Sequence, residues 1–445
     1  MLYRGVPSVM TVGRLAVATI VAATLLVAAP SAAVAGEPKP LAIQPGEVVV
    51  KIERGATIDA IHAEYGTEVI TTLLGTRGVY LLSVPIDTTK KPKDQEKKTK
   101  DLAKKISKED HVVYAEPNFV TDVAEGDRFH AWPESDRFHA WPGADSFIPW
   151  PDDGGVEAGS SPAFWTDQPA LEGLGLDEAH EIARGGGVTV AVLDTGVDLD
   201  HGALVDHLAD GGYDYVDDDA VPNDDADGVD SDGDGFLDEA MGHGTHVAGI
   251  VALVAPDAQI WPARVLDSNG HGSVFLVAEA IHDAIAADVD VINLSFGIDR
   301  KVESKLLAEA TKAAKEAGVL VVAAAGNDGS GAKHYPAAGK DIIGVAAMDH
   351  ARERLAAFSS HGKWVTVAAP GEAIVSPVPG GFAIWSGTSM AAPFVSGQAA
   401  LLISLDRGAS FDKVRKAIAE SADKIDDGPK VEKGIIDIVA SLVKL

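Results

Sequence analysis

Residues Val188 to Leu193 form an unbroken apolar run, entered from Gly185-Gly186-Gly187 and closed by Asp194. A strand that is apolar on both faces must be buried on both, which in practice means a parallel sheet with helices on each side. Further strand candidates are Ile260 to Val265, Val289 to Leu294 and Val319 to Val322. Helix-like stretches lie between them, among them Lys301 to Ala317, which Gly318 stops. From about residue 166 onward the chain therefore reads as βαβ units. The expected fold class is α/β, a mostly parallel sheet covered on both faces. Phe411 to Ile418 reads as a closing helix, followed by a short apolar tail with no room for a further domain.

The chain before this region is organised differently. Arg4 and Arg14 precede an apolar stretch from Leu15 to Ala29, and Ala33-Val34-Ala35 gives the small-x-small pattern of a signal-peptidase site. Residues 1–35 thus read as an export leader, too short in their apolar part for the ~20 residues of a spanning helix. No later segment reads as long and apolar enough to span, so no stable membrane anchor is expected. Residues 44–122 read as a small α+β unit. Val48 to Ile52 is a strand, Ile58, Ile61 and Tyr65 mark a short amphipathic helix ended by Gly66, and Val79 to Val84 is a second strand. A lysine-rich helix lies within Lys90 to Lys108, and His111 to Tyr114 is a last strand. That order suits a ferredoxin-like sandwich. The lysines are either a solvated helix face or a complement to the acidic remainder. Residues 123–165 read as a Pro- and Trp-rich linker in which Asp127-Arg128-Phe129-His130-Ala131-Trp132-Pro133 recurs as Asp136 to Pro142.

Charge and cysteine content narrow the chemistry. A formal net charge of -30 repels polyanions, so nucleic acid is not an expected partner. With no cysteine, thiolate nucleophiles, disulfides and zinc–thiolate sites are excluded.

In open parallel sheets the working site lies beyond the carboxyl ends of the strands. Asp194 ends one strand, in Leu-Asp-Thr-Gly; Ser295-Phe296-Gly297 follows another, and Asn327 follows a third in Ala-Ala-Ala-Gly-Asn. His243 and Ser389 each open a helix, in Gly-His-Gly-Thr-His-Val-Ala-Gly and Ser-Gly-Thr-Ser-Met-Ala-Ala-Pro. Singly these signals are weak. Asp-Thr-Gly also marks aspartic proteases, which need a second such loop. Gly387-Thr388-Ser389-Met390-Ala391 approaches a nucleophile elbow, but that fold needs its His after the Ser, and none follows His361.

In the order Asp, His, Ser, with these local sequences, the chain from about 166 to 445 resembles the subtilases, the subtilisin-like serine proteases. Gly434-Ile435-Ile436-Asp437 belongs to the resemblance, and residues 44–122, ending in Tyr114-Ala115-Glu116-Pro117-Asn118, resemble the family's inhibitory propeptide. The resemblance implies a secreted serine endopeptidase, made as a self-processing zymogen, with peptides as substrates and its own propeptide as inhibitor. It implies Ser389 as nucleophile, His243 as base in preference to His246, and Asp194 as the group that orients and stabilises the imidazole. Asn327 and the Ser389 backbone N–H would form the oxyanion hole. Substrate would add as a strand between Gly270-His271-Gly272 and Ser295-Phe296-Gly297, with the Ala323–Gly326 stretch, Ala324 and Gly326 included, lining the pocket beside the scissile bond and Asp328 and His334 near its rim. Small wall residues imply a roomy, mainly apolar pocket. A monomer is expected.

From Asp206 to Glu239 there are 13 Asp and one Glu and no Lys or Arg. Asp230-x-Asp232-x-Asp234-Gly235, with Asp238, reproduces the first part of a calcium loop. Met241 stands at the twelfth position, where the pattern has a bidentate Glu; Glu239 would substitute. Structural Ca²⁺ bound by Asp230, Asp232, Asp234, Asp238 and Glu239 is therefore expected. The helix after His243 has no space for the calcium-binding insertion common in subtilisins, since Val247 to Ala255 runs straight to Pro256.

Overall fold

Alternation along β1 (Ile43–Ile52) builds the N-terminal unit, which continues through α1 (Asp59–Tyr65), β2 (Glu68–Thr72), β3 (Val79–Ser83), α2 (Pro92–Ile106) and β4 (Val112–Asp122). These elements belong to a computed structural model that describes residues 42–73, 76–123, 163–231, 235–298, 302–426 and 428–445. The leader, the repeat-bearing joint, Asp232 and Asp234 lie outside the described residues. All described elements belong to one unit, Lys39–Leu445.

The four strands pair antiparallel in the order β4-β1-β3-β2, the ferredoxin-like arrangement. Val48, Val50 and Ile52 point to one face and make the unit's own core with Ile58, Ile61, Leu102 and Ile106. Val49, Leu81 and Tyr114 point to the other face, into the core of the following region. Gly66 ends α1 with φ 63, a left-handed cap that glycine adopts without strain. Two features depart from the sequence reading. β2 is a strand although every residue in it is exposed, so burial left no pattern to read. β4 runs eight residues past Tyr114, through Pro117, because its far end pairs with other strands. The lysines of α2 face solvent, while Leu102, Ala103 and Ile106 face the sheet. The solvated-face reading therefore holds.

The remaining chain begins with α3 (Ala163–Thr166) and α4 (Leu176–Ile182), then β5 (Thr189–Asp194), β6 (Tyr213–Asp214), α5 (His243–Val254), β7 (Gln259–Arg264), β8 (His271–Ser273) and α6 (Val274–Ala286). It continues with β9 (Val291–Leu294), β10 (Gly297–Ile298), α7 (Lys305–Glu316), β11 (Leu320–Ala324), β12 (Ile343–Met348), β13 (Val367–Pro370) and the hairpin β14 (Ile374–Val378) and β15 (Gly381–Trp385). It closes with α8 (Thr388–Leu405), α9 (Phe411–Ser421), β16 (Gly434–Ile435) and α10 (Ile438–Lys444). Eight strands form a sheet in the order β16-β13-β12-β11-β9-β5-β7-β6, and every pair in it is parallel.

The two faces follow from the pleat. Val190 and Val192 of β5 pack with α5 and α8, whereas Ala191 and Leu193 pack with α6 and α7. The same second cluster takes in Val49, Leu81 and Tyr114, so the N-terminal sheet docks on α6 and α7. α8 corrects one expectation: with 18 residues and a mean hydropathy of 1.3 it is long and apolar enough to cross a membrane. It is instead the central core helix, with Thr388 through Ile403 buried.

α5 and α8 cross at Gly397, where a Cβ would stand 2.6 Å from Val254 Cβ. Gly397→Val should therefore destabilise the fold by about 1–3 kcal/mol, as overpacking usually does. Thermal unfolding measures it; an unchanged midpoint would refute the close crossing.

Candidate active site

β5 delivers Asp194 at its carboxyl end, and α5 delivers His243 as its first residue. His243 Nδ1 and Asp194 Oδ1 are 2.6 Å apart, and both side chains are fully buried. Asp194 Oδ1 also accepts the Thr195 N–H at 2.8 Å. A buried carboxylate is costly unless hydrogen-bonded, and this geometry provides partners for it. The contact requires α5 to approach the β5 turn closely. Gly244 permits it: a Cβ there would lie 2.0 Å from the Gly196 carbonyl oxygen.

Ser389 is the second residue of α8 and is also fully buried. Its hydroxyl donates to the Ser295 carbonyl at 2.9 Å, and the Ser295 hydroxyl donates to the Ser389 carbonyl at 2.9 Å. Asn293 Nδ2 donates to Ser295 Oγ at 2.9 Å, and Ser396 Oγ donates to Asn293 Oδ1 at 2.8 Å. This chain of hydrogen bonds locks the end of β9 to the first turns of α8. Asn327 follows β11 and turns its Oδ1 onto α8, accepting from Thr388 N at 2.9 Å and Thr388 Oγ1 at 3.0 Å. The carbonyl end is thereby fixed, which leaves the amide nitrogen as the donor end of the side chain. Gly326 N donates to Thr388 Oγ1 at 2.9 Å.

His246 does not share the site of His243. Its Nε2 donates to the Ile374 and Ala383 carbonyls at 3.2 and 3.3 Å, and its ring stacks on Trp385 at 4.7 Å. Burial lowers its pKa to about 3, so it stays neutral. It is a structural histidine.

The cleft edges are occupied by the chain itself. Val120, Thr121 and Asp122 of β4 pair antiparallel with Ser273, Gly272 and His271 of β8. On the other side Thr121 and Asp122 pair with Ile298 and Gly297 of β10. The Val123 N–H donates to the Gly270 carbonyl at 3.2 Å. The glycines make room, since a Cβ on Gly270 would stand 2.5 Å from Val123 Cγ2 and one on Gly272 would stand 2.9 Å from Thr121 Oγ1. Phe296, between Ser295 and Gly297, is buried in the core shared with the N-terminal unit. Glu116 accepts from Ser304 Oγ at 2.6 Å, Lys305 N at 2.9 Å and Leu306 N at 3.1 Å, capping the N-terminus of α7. Asn118 accepts the Phe275 N–H in the first turn of α6 at 3.2 Å. These contacts of β4 were not read from the sequence. The acidic and amide residues flanking Pro117 were the available signal.

Gly326, beside Ala324, is backed by the His334 ring, whose atoms lie 3.0 Å from where a Gly326 Cβ would be. His334 Nε2 pairs with Asp328 in a short contact, and both side chains are largely buried. The wall beside Asn327 is thus narrower and more polar than its alanines and glycine imply.

In the acidic segment, Asp230 Oδ2 accepts the Gly235 N–H at 3.0 Å, and Gly235 has φ 96. Asp238 Oδ1 accepts from Asp227 N at 2.8 Å and Gly228 N at 2.9 Å. Glu239 lies two residues past Leu237, which is exposed at the end of the loop. Among the described residues no group of three or more acids or histidines is gathered for a metal.

Comparison with known proteins agrees with this architecture. Residues 185–435 match the model of the subtilase family, and residues 29–118 match that of the fervidolysin N-terminal prodomain. The chain belongs to the subtilase family. It is 42% identical over 261 residues to a thermophilic serine proteinase of Bacillus sp. (strain AK1), covering 56% of this chain and 60% of that protein. It is 39% identical over 277 residues to thermitase of Thermoactinomyces vulgaris, covering 60% of this chain and 92% of thermitase. The crystal structure of fervidolysin from Fervidobacterium pennivorans, a keratinolytic enzyme related to subtilisin, superposes with a TM-score of 0.68 at 25% identity, covering 92% of this chain and 62% of that one. The chain thus spans less than two thirds of the length of two of these three relatives.

The state of His246 has a consequence for acid stability. Unfolded, its imidazole takes up a proton near the ordinary pKa of about 6.5; folded, it refuses one until about 3. Between those values the unfolded state binds more protons, so stability falls as pH falls through this window. Unfolding midpoints of the Ser389→Ala protein should drop on acidification, and His246→Gln should flatten that drop. Parallel pH profiles for the two proteins would rule the mechanism out.

Proposed function

We propose that the protein is a secreted, subtilisin-like serine endopeptidase made as a self-processing zymogen, with Asp194, His243 and Ser389 as its catalytic triad. The observation that carries this reading is the buried Asp194–His243 bond at 2.6 Å in a cleft where β4 already lies as a main-chain-paired peptide. On this reading a χ1 rotation of Ser389 exchanges the Ser295 carbonyl for His243 Nε2 as hydrogen-bond acceptor. Ser389 Oγ then attacks the peptide carbonyl while its proton passes to His243 Nε2. Asp194 holds the imidazole by Nδ1 and stabilises the cation that forms. The oxyanion is met by the Asn327 amide and the Ser389 N–H at the positive end of α8. Collapse breaks the C–N bond, and the leaving amine takes the proton from His243. Water, activated by the same imidazole, hydrolyses the acyl-enzyme and restores Ser389.

Substrate takes the place of β4, as an added strand between Gly270-His271-Gly272 and Ser295-Phe296-Gly297. The prosegment, 44–122, is then an intramolecular inhibitor. It is held by the ladder, by Glu116 on α7 and by Asn118 on α6. Residues 1–35 act as the export leader, 123–165 as the linker and 166–445 as the peptidase, working as a monomer on protein or peptide substrates. In the register of β4 on β10, Val123 falls opposite Phe296, one step short of Ser295, whose carbonyl receives the Ser389 hydroxyl. Maturation cleavage therefore falls on the carboxyl side of Val123.

A fluorophosphonate should label the wild-type chain at Ser389, and purified Ser389→Ala should accumulate as full-length precursor. N-terminal sequencing of the matured wild type should begin beyond Val123. A wild type that folds but takes no label would instead be a silent scaffold.

Calcium fits the acidic loop in part. The Asp230-to-Gly235 hydrogen bond and the left-handed turn at Gly235 are the geometry in which side-chain oxygens of such a loop converge. Asp230, Asp232, Asp234, Asp238 and Glu239 would hold the ion, which would neutralise their mutual repulsion and fix the loop. Chelation should then lower the unfolding midpoint of the Ser389→Ala protein, and Asp230→Ala should abolish the difference. Equal midpoints with calcium and with chelator would leave the loop a solvated acidic surface.

A further inference from the structure

Two described members of the acidic segment are buried: Asp214, which pairs with Arg264, and Asp224. Asp224 is only 2% exposed and lies beneath the first turn of α5. Gly242 N donates to its Oδ1 at 2.9 Å, while Thr245 N and Thr245 Oγ1 donate to its Oδ2 at 3.1 and 2.6 Å. The helix needs such a partner. Its N-cap is Gly242, at φ 92, which has no side chain to satisfy the first amides.

We propose that Asp224 is a positioning residue for His243, gripping the helix turn on either side of the imidazole and tying it to the loop that carries Asp194; this rests on the triad reading above. Gly242 and Thr245 bracket His243, so the carboxylate holds the backbone from which that ring projects without touching the ring. Thr245 Oγ1 passes the tie onward by accepting the Asp198 N–H at 2.9 Å. The segment around Asp224 grips the same loop directly: Val197 N donates to the Pro222 carbonyl at 3.0 Å and Leu199 N to Asn223 Oδ1 at 3.0 Å. A fourth stitch, Gly244 N to Thr195 Oγ1 at 2.9 Å, closes the arrangement. Residues 194–199, 222–224 and 242–245 thus form one hydrogen-bonded block, with a buried carboxylate at the positive end of a helix as its centre. The two carboxylate oxygens divide the work, Oδ1 taking the Gly242 arm and Oδ2 the Thr245 arm. Burial pushes the Asp224 carboxyl up to about 7, against the pull of its hydrogen bonds, so its negative form is the one to assay above neutral pH.

The kinetic arm of the test uses enzyme matured from the full chain, and the NMR arm uses the full-length Ser389→Ala precursor. Asp224→Asn replaces one acceptor oxygen with an amide that opposes the donors, and should lower kcat about 10- to 100-fold on a peptide substrate with KM nearly unchanged, the size expected when a reacting group is slightly misplaced. The low-field NMR signal of the His243 Nδ1 proton, followed in Ser389→Ala protein, should shift in the Asp224→Asn double variant. Thr245→Val removes the hydroxyl bond of the Thr245 arm, leaving its N–H bond, and should lower kcat in the same direction, which Thr245→Ser reverses. If Asp224→Asn fails to fold, Thr245→Val decides alone. Asp224 is only a fold residue if kcat per folded molecule is unchanged and only the unfolding midpoint falls, or if the loss sits in KM; either result overturns the proposal. A wild type inert to fluorophosphonate would instead remove the triad reading beneath it.

Discussion

The site depends on how closely the first turn of α5 approaches the end of β5. Gly244 and Gly196 meet there, and a methyl group on Gly244 would fall 2.0 Å from the Gly196 carbonyl oxygen. Gly196, at φ 105, has in turn the Asn223 carbonyl oxygen 2.5 Å from where its own Cβ would be. Three segments are therefore pressed backbone to backbone. That compression, rather than the side chains, sets the 2.6 Å separation of Asp194 and His243. Interiors packed this densely do not deform gradually, so a single added carbon on either glycine has to displace a whole element.

The second organising interaction is the β4 ladder. Main-chain pairing on two edges is indifferent to side-chain identity, and here it holds the protein's own chain. Side-chain contacts supply the selectivity the ladder lacks. Glu116 caps α7 through Ser304, Lys305 and Leu306, and Asn118 engages α6. Both residues sit in β4, so one strand carries both the two-edged pairing and the docking contacts. A peptide without those acidic and amide groups would have the ladder alone.

Much of this was legible in the sequence. A continuous apolar run identified β5, and short runs rich in Val, Ile and Leu identified β9 and β11, because strands buried on both faces need no polar alternation. The triad candidates were legible because Asp194 ends one such strand and His243 and Ser389 open helices in short motifs that follow it in the order Asp, His, Ser. What escaped had a common physical origin. β2 is exposed along its whole length, and the far end of β4 is held by strands 150 or more residues away, so neither leaves a local pattern. α8 was misjudged for the opposite reason. Its 18 residues, apolar on average, describe a core helix and a membrane helix equally well, and only its burial between α5 and the sheet separates the two. The His334 ring, eight residues past Gly326, packs against that glycine, a contact no local pattern announced.

Charge shows the same division between local composition and placement. Thirteen aspartates between 206 and 239 look alike in sequence, yet they sit in different surroundings. Asp214 meets Arg264 in a buried ion pair at 2.8 Å, Asp238 turns onto loop amides, and Asp224 caps α5. A carboxylate removed from water is tolerated only where donors replace the lost hydration. Helix termini and tight turns supply such donors without an added positive side chain. The segment has no lysine or arginine of its own, so the fold stabilises its inner carboxylates with backbone dipoles and with Arg264 from β7. Even exposed members have protein partners: Asp217 pairs with the same Arg264 at 2.5 Å, and Asp218 accepts from the Tyr213 hydroxyl at 2.7 Å.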